Sequence, residues 1–268
     1  MAGPAFDVIT APNPSPLTLS GTNTYLIGAG GEAAIIDPGP DDAGHVTRLL
    51  EQASGRRVVL ILLTHGHRDH CGAADRLARA TGAPVRGWHT PPPLPAPGGG
   101  RAPDAPLRDG EDVAVPNGRL RAMHTPGHAR DHVAFYWEER GVLFSGDLIL
   151  GRGTVQVTPP GGSMAEYLRS LDRVARLDLT LIAPGHGPLI RSPHRRIAEY
   201  LAHRRIREQQ VLDALAAGAG TAQEVAAVIY PDLDPRLRAA AEGTVSAHLE
   251  KLIVDGRVRR TATRFWVA

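Results

Sequence analysis

The sequence predicts a layered α/β domain followed by a small helical domain that ends in a β-ribbon. Short apolar segments typical of strands alternate with helical patterns up to about residue 203. The pattern then changes to three short helices and a two-stranded ribbon, which is the winged-helix arrangement. We therefore predict two domains, residues 1–203 and residues 204–268.

The first elements show the alternation clearly. Strands are predicted at residues 23–27 and 33–36, joined by a glycine-rich turn. A helix is predicted at 42–54, a strand at 58–63 and a second helix at 72–80. This order of strand and helix is typical of a layered α/β domain.

Helix-start signals follow in the second half of the chain. Ser163 and Glu166 have the spacing of a capping box, which predicts a helix to about residue 177. Ser192-Pro193 places proline at a first helical position. Together they predict two helices, of which the second leads from the α/β domain towards the C-terminus.

The C-terminal segment has its own set of elements. A helix is predicted at 206–216, and a second capping box, Thr221 with Glu224, opens a short helix. A third helix is predicted at 237–254, and a β-ribbon at 258–267. Three helices followed by a ribbon predict a winged helix.

The segment Thr64-His65-Gly66-His67-Arg68-Asp69-His70 directly follows the strand predicted at 58–63. Imidazole nitrogens and carboxylate oxygens are the ligands that a zinc-like cation takes. The motif contains four potential ligands: His65, His67, Asp69 and His70. Because side chains alternate between the faces of a strand, a strand could not direct all four to one point. We therefore predict that the strand ends here and that the turn after it presents the ligands.

Three later motifs repeat this plan. His128 lies in a TPGH motif, Asp147 in SGD and His186 in PGHG, and each follows a short apolar segment. Glycine or proline beside each residue permits a tight turn and a close backbone approach. The recurring unit of strand, turn and ligand predicts one shared metal centre.

With these motifs in this order, the chain resembles the metallo-β-lactamase superfamily over roughly its first two hundred residues. The resemblance implies an αββα sandwich with two metals at one edge. It implies one metal at His65, His67 and His128, a second at Asp69, His70 and His186, and Asp147 bridging both. Zinc is the expected ion, with manganese or iron as alternatives.

Two divalent ions about 3.5–4 Å apart can share a water molecule and lower its pKa. We therefore expect a hydrolase that uses a metal-bridging hydroxide, in which Asp69 orients the nucleophile and Asp147 neutralises the cations. No serine or cysteine constellation suggests a covalent intermediate. Asp37, Asp131 and His132 are candidates for orienting the ligands.

The residues after 204 resemble the winged-helix domain of the beta-lactamase-like protein 2 subfamily. That resemblance implies an endoribonuclease acting on single-stranded RNA. The alternatives are a glyoxalase-II-like thioesterase and a β-lactamase-like or other small-molecule ester or lactone hydrolase. A non-enzymatic alternative is a winged-helix nucleic-acid-binding protein with a vestigial metal domain, against which the complete ligand set argues.

The charge pattern of the predicted winged helix does not decide whether this domain binds nucleic acid. The third predicted helix carries Arg236, Arg238, His248 and Lys251 among several acidic residues. The ribbon contains Arg257, Arg259, Arg260 and Arg264, with Phe265 and Trp266 nearby. We favour a packing or dimerising role over direct nucleic-acid contact.

Two residues are predicted to contact substrate, His89 and Arg152. His89 precedes the proline- and glycine-rich residues 90–110, which predict either a substrate lid or a surface insertion. Arginine suits an anionic substrate group. For Arg152 the alternative is a role in bracing its own loop.

Composition sets the outer limits of function. The formal net charge of the 268-residue chain is only +2, and Cys71 is its sole cysteine, so no internal disulfide can form. The N-terminus lacks a signal-peptide pattern, and no apolar run reaches the roughly 20 residues of a membrane helix. We expect a cytoplasmic protein without a membrane partner; a homodimer is compatible with the sequence but not required by it.

Overall fold

A computed structural model describes residues 5–88 and 103–268. The chain forms two compact units, each described by itself. The first contains Met1–Thr125, Asp131–Gly153 and Leu177–Pro193. The second contains Pro126–Arg130, Thr154–Arg176 and His194–Ala268.

The first unit contains two β-sheets. The six-stranded sheet comprises, in spatial order, β1 (Asp7–Thr10), β2 (Asn23–Ala29), β3 (Glu32–Ile36), β4 (Arg57–Leu62), β5 (Val85–Gly87) and β6 (Ala105–Pro106). The five-stranded sheet runs in the spatial order β11-β10-β9-β8-β7. Its strands are β7 (Asp112–Val115), β8 (Gly118–His124), β9 (Val133–Trp137), β10 (Val142–Gly146) and β11 (Leu181–Pro184).

Alternation along the strands divides the apolar residues of this unit between two cores. Tyr25 and Ile27 of β2 belong to a core shared with the five-stranded sheet, together with Phe144 of β10. Leu26 points the other way, into a core shared with the first helices. This period of two is what a strand buried on both faces requires.

Two helices of the first unit follow the prediction, and a short one lies between them. The predicted helices are α1 (Ala43–Gln52) and α3 (Ala74–Thr81), and the additional helix is α2 (Arg68–Cys71). The carboxylate of Asp42 accepts a hydrogen bond from the His45 backbone N–H at 2.7 Å and caps α1. Leu49 of α1 and Leu77 of α3 pack into the same core as Leu26.

Parallel pairing brings several strand ends to one edge of the first unit. β3 pairs in parallel with β4, and β10 pairs in parallel with β11. The backbone N–H of Val133, at the start of β9, donates to the Thr64 carbonyl oxygen at 2.7 Å and links the two sheets there. This edge therefore collects the residues that follow β3, β4, β10 and β11.

The second unit contains four helices and a small ribbon. They are α4 (Met164–Val174), α5 (Pro193–Ala216), α6 (Ala222–Ile229), α7 (Arg238–Val254), β12 (Val258–Arg260) and β13 (Phe265–Val267). The Thr221 capping box is present in full, whereas at Ser163 the side chain accepts from the Glu166 backbone N–H. The C-terminal helices and ribbon match the sequence prediction.

Two details of the chain differ from the sequence expectations. α5 is one continuous helix, so the predicted boundary between residues 203 and 204 lies within it. The helix predicted to start at Ser192-Pro193 and the helix predicted at 206–216 therefore form one element. Both can bury apolar residues along the same face of a single helix. Within the predicted loop at 90–110, the two-residue strand β6 pairs with β5.

The C-terminal helices and ribbon share a separate apolar core. Val211 and Leu215 of α5, Val225 of α6 and Leu249 of α7 are buried together in it. Val258 of β12 closes the same core. Within the described residues, no helix combines the length and the apolar character that crossing a membrane requires.

A buried histidine makes the stability of the second unit depend on pH. Burial, reinforced by the nearby Arg204 cation, lowers the pKa of His248 to about 3, compared with its ordinary value of 6.5. Between these two values the unfolded chain binds more protons than the folded one. The free energy of unfolding should therefore decrease as pH falls from 6.5 towards 3, by on the order of a few kcal/mol.

Denaturant unfolding in chloride buffer across that pH range will measure this loss. His248→Gln should flatten the acid side of the profile, because the replaced side chain takes up no proton. His194→Gln removes an exposed histidine at the start of α5 and should leave the slope unchanged. Equal slopes for wild type and His248→Gln would contradict the assignment.

Candidate metal centre

The predicted ligands of the first unit lie at the edge where the parallel strands end. His65, His67, Asp69 and His70 occupy the turn and short helix α2 after β4. Asp147 directly follows β10, and His186 follows β11 by two residues. The tertiary structure therefore brings together motifs that are more than a hundred residues apart.

Four ligand atoms converge at one point of this edge. The Nε2 atoms of His70 and His186 are 3.2 Å apart. Asp147 Oδ1 lies 3.4 Å from each of these nitrogens. Asp69 Oδ2 is 3.2 Å from His186 Nε2 and 3.7 Å from His70 Nε2.

His65 and His67 form a second convergence in the same turn. His65 Nε2 is 3.0 Å from His67 Nδ1. His65, His70 and Asp147 also place one ligand atom each within 4.8 Å of one another. The turn after β4 therefore adjoins the group formed by Asp69, His70 and His186.

Asp37 anchors the ligand-bearing turn. One carboxylate oxygen accepts from the Thr64 backbone N–H at 2.8 Å, and the other accepts from the Thr64 hydroxyl at 2.7 Å. The second oxygen is also 2.8 Å from His70 Nδ1. Because Nδ1–H donates to this carboxylate, Nε2 is the nitrogen that is available to a metal ion.

Asp37 adopts a backbone conformation that few side chains tolerate. Its φ is +51°, in the left-handed region, and the residue is 2% exposed. Aspartate and asparagine are among the few non-glycine residues that occupy this region. The turn after β3 therefore directs this carboxylate towards the turn after β4 at a cost in backbone strain.

The charges of the centre stabilise one another. Burial by itself lowers the pKa of His70, but the carboxylates of Asp147, Asp37 and Asp69 outweigh burial and raise it well above its ordinary value. For His186, Asp147 likewise overcomes burial and raises the pKa to about 9. Asp69 shows the converse: burial raises its pKa, while His70 and His186 lower it to about 2.

Glycine precedes two ligands because a larger side chain would collide with the centre. A Cβ on Gly146, whose φ is +47°, would lie 2.7 Å from His132 Nε2. A Cβ on Gly185 would lie 2.7 Å from Asp147 Oδ1 and from His70 Cε1. The SGD and PGHG motifs thus require glycine for close packing.

His132 and Asp131 contact the ligand-bearing segments without being ligands in the predicted set. The Asp147 backbone N–H donates to His132 Nε2 at 3.1 Å, so the proton of this ring lies on Nδ1, which donates to the Thr125 hydroxyl at 2.9 Å. Asp131 Oδ2 accepts from the Gly66 N–H at 2.8 Å. Both side chains therefore orient backbone beside a predicted ligand.

His128 belongs to the second unit, in the turn Pro126–Arg130. Its Nδ1 atom donates to the Gln156 carbonyl oxygen at 2.7 Å, which places the lone pair of the ring on Nε2. The Ser163 N–H donates to the Gly127 carbonyl, and the Ser170 hydroxyl donates to the Pro126 carbonyl. The turn is thus held by α4 and by Ser163, the residue before α4.

The donor set fits divalent metal ions. His70 and His186 each direct one ring nitrogen towards neighbouring carboxylate oxygens, while the other nitrogen bonds to Asp37 or to the Gly21 carbonyl. Metal-ligating histidines characteristically have such outer hydrogen bonds, which set the tautomer. Imidazole and carboxylate together suit zinc, iron or manganese.

Cys71 is a buried structural residue. Its thiol lies 3.3 Å from the Gly66 carbonyl oxygen. Burial raises the pKa of the Cys71 thiol to about 11, which disfavours the thiolate that metals and electrophiles select.

Of the two predicted substrate contacts, one can be placed. Arg152 is exposed and lines a cleft of about 650 Å³, together with Leu19, Asn23 and Gly187. Gly187 follows the predicted ligand His186, and the Gly151 N–H donates to the His186 carbonyl at 2.9 Å. His89 and most of the 90–110 segment lie outside the described residues.

Sequence reasoning missed several groups that support the centre. Thr64 links Asp37 to His65, since its hydroxyl is also 3.0 Å from His65 Nδ1. Thr125 accepts the Nδ1–H of His132, and the Gln156 carbonyl fixes the tautomer of His128. Both threonines stand beside predicted motifs, whereas nothing in the sequence marks the backbone of Gln156.

Comparison with known families agrees with this architecture. A model described as the metallo-beta-lactamase superfamily matches residues 17–186. The chain belongs to the metallo-beta-lactamase superfamily. A second model, the beta-lactamase associated winged helix domain, matches residues 221–266. The predicted αββα fold with a C-terminal winged helix is thereby confirmed, and the protein is a metal-dependent hydrolase of this superfamily.

Two curated relatives are similar over most of their length. A beta-lactamase-like protein 2 homolog from Drosophila melanogaster is 35% identical, with 92% of this chain and 87% of the relative covered. An atrochrysone carboxyl ACP thioesterase from Cryptosporiopsis sp. is 33% identical, with 95% and 82% covered.

Two solved structures are also similar. A metallo-beta-lactamase family protein from Thermus thermophilus has a TM-score of 0.83 and 30% identity, with 98% of this chain and 99% of that chain covered. A protein in a di-iron-bound form has a TM-score of 0.56 and 32% identity, with 74% and 97% covered. Divalent metals are thus characteristic of the superfamily, whereas the zinc assignment stays a prediction.

Asp37→Asn should weaken metal binding without unfolding the protein. Asparagine tolerates the positive φ of this position, but it lacks the charge that accepts the His70 proton. We expect a 10–100-fold loss of affinity for one metal, roughly the effect of removing an outer hydrogen bond. Competition with a chelator, with metal content and circular dichroism recorded together, will measure it.

Asp41→Asn is the matched control, because Asp41 lies close to Asp37 in the chain but is exposed and pairs with Arg76. It should retain wild-type affinity. Wild-type metal affinity in Asp37→Asn would show that this carboxylate does not support the centre.

Proposed function

We propose that the protein is a binuclear metal-dependent hydrolase of acyl thioesters. The proposed ligands of the two ions are His65, His67, Asp69, His70, His128, Asp147 and His186. Bound divalent ions would supply Lewis acidity, which makes water more acidic and offsets negative charge that develops on a carbonyl oxygen. Zinc is the proposed ion.

The chain's own groups hold the ligand protons in defined places. Asp37 keeps the His70 proton on Nδ1, and the Gly21 carbonyl does so for His186. Asp69 is the proposed residue for orienting the attacking water, since its pKa of about 2 keeps it ionised at neutral pH. Asp147 supplies a further buried negative charge.

The observation that supports a thioester most directly is the cleft beside His186. Its lining combines apolar groups, Val8, Leu19 and Leu189, with the single cation Arg152. An acyl group would occupy the apolar walls, and an anionic group of the thiol carrier would pair with the guanidinium. The similar ACP thioesterase makes this substrate class consistent with the family.

Pairing of the C-terminal cations weakens the endoribonuclease prediction. Lys251 binds Glu208 at 2.8 Å and Asp255 at 2.6 Å. Arg257 pairs with Glu208 and Arg264 with Glu224. His248 is buried. These contacts favour a packing role for this domain.

Single-stranded RNA stays the second candidate because two ribbon cations are exposed. Arg259 and Arg260 of β12 are exposed, and Trp266, opposite Arg259, is 42% exposed. Arginines next to an aromatic ring could contact a phosphate backbone and stack a base. This surface is smaller than a continuous basic groove.

Purified wild type should hydrolyse S-lactoylglutathione and leave a labelled single-stranded RNA intact. Asp147→Ala should reduce thioester turnover by roughly 100-fold or more and lower the metal content, because it removes a buried ligand charge. Asp172→Ala, on the exposed side of α4, is the control and should keep full activity.

RNA cleavage that requires Asp147, without thioester turnover, would replace this proposal with the endoribonuclease. If two metals bind but neither substrate reacts, the metallohydrolase assignment stands and both substrate assignments are wrong.

Arg152→Ala should raise the KM for S-lactoylglutathione by about 10-fold, the typical effect of losing one charge-assisted hydrogen bond. The KM for a neutral N-acetylcysteamine thioester should stay constant, because that carrier has no anion. Arg152→Lys should lie between wild type and alanine, and Arg205→Ala, an exposed arginine of α5, is the control. Equal increases for both thioesters would assign Arg152 to loop bracing instead.

A further inference from the structure

The second unit contains a cluster of buried basic side chains that the proposed catalysis does not use. His203, Arg204 and Arg207 lie on α5 at helical spacing, and His248 lies on α7. Arg204 is 2% exposed and His248 is 1% exposed. His203 and Arg207 are half-buried, so the cluster borders solvent at these two residues.

These four side chains lie close enough to repel one another. Burial first, and then the cations of Arg204, Lys251 and Arg207, disfavours protonation of His248. Burial together with Arg204 and Arg207 lowers the pKa of His203 to about 4. Glu208, the acidic residue next to Arg207, is already bound by Lys251 and Arg257.

Several nitrogens of the cluster are buried without a hydrogen-bond partner among the described residues. They are His203 Nδ1, Arg204 Nε, Arg207 Nε, and both His248 ring nitrogens. A buried donor left without an acceptor costs about 1–3 kcal/mol, and more when it is charged. The two guanidinium Nε–H groups and the N–H of the His248 imidazole therefore call for a ligand that supplies acceptors.

Contacts within the protein offset only part of the positive charge of Arg204 and Arg207. Arg204 donates one Nη2 hydrogen bond to the Val155 carbonyl and lies over the Tyr167 ring at 5.1 Å. Arg207 bonds to Gln210 and lies over the Tyr230 ring at 4.6 Å. These carbonyl, amide and ring contacts place no anion beside either guanidinium, and a buried cation is stable only when its charge is offset.

We propose that this cluster, formed by His203, Arg204, Arg207 and His248, binds a small oxyanion of the phosphate or sulfate class. Such a ligand offers several acceptor oxygens and no obligatory donor, which matches guanidinium and imidazole N–H groups. Water molecules would accept hydrogen bonds from single donors, but they would not neutralise the positive charge of the cluster. The burial of Arg204 and His248 favours a free anion over a phosphate within a polymer.

The test compares full-length wild type, Arg204→Met and Arg205→Met in phosphate, sulfate and chloride at matched ionic strength. Phosphate should raise the melting temperature of wild type saturably, by roughly 5 °C at about 100 times its dissociation constant. Arg204→Met removes the buried cation with an apolar chain of similar length, and the shift should disappear. Arg205→Met removes the exposed neighbour and should behave as wild type.

A second measurement separates this site from anions bound elsewhere and from a folding defect. Crystals of wild type soaked in selenate should show an anomalous peak between α5 and α7. Calorimetric titration with phosphate should give affinity at least about 10-fold weaker for His248→Gln than for wild type.

Three results would overturn the proposal. One is the same saturable shift in Arg204→Met, and another is no shift in wild type beyond the chloride control. The third is a shift produced by a single-stranded oligonucleotide but not by inorganic phosphate, which would assign the cluster to a polymer.

Discussion

The candidate centre depends above all on the carboxylate of Asp37. It binds the backbone and the hydroxyl of Thr64 and the imidazole of His70, so it joins the end of β3 to the turn after β4. Its left-handed backbone is the strained geometry that makes these contacts reachable. Without this carboxylate Thr64 and His70 would lose three hydrogen bonds, and the proton of His70 would have no fixed nitrogen.

Electrostatics then hold the ligand atoms together. The Nε2 atoms of His70 and His186 are 3.2 Å apart, and the Asp69 and Asp147 oxygens lie 3.2–3.7 Å from them. The two carboxylates tolerate this spacing because the imidazoles oppose their charge, as the low pKa of Asp69 and the raised pKa of His186 indicate. A divalent cation suits the same arrangement, since its charge would replace the protons.

The second unit has its own network of contacts. It contains His128, a predicted ligand, on a turn held by Gln156 and by α4. The residue before Gln156, Val155, accepts a hydrogen bond from the buried Arg204 of α5. A chain of contacts within this unit therefore connects the basic cluster with the turn that carries His128.

The sequence by itself predicted the fold class, the ligand-bearing motifs and the C-terminal helices and ribbon, because each leaves a local signal. Strand periodicity, capping residues and glycine beside histidine or aspartate act over a few positions. The tertiary structure alone decided which atoms converge and that Arg204 is buried with His248. It also decided how Thr64, Gln156 and the Asp147 backbone set the histidine tautomers. On α5, Arg204 shares its buried face with Ile197, Tyr200 and Val211. The contacts of the Arg204 side chain depend on α7 and on the Val155 carbonyl, which lies in a distant loop. No local sequence pattern encodes such contacts.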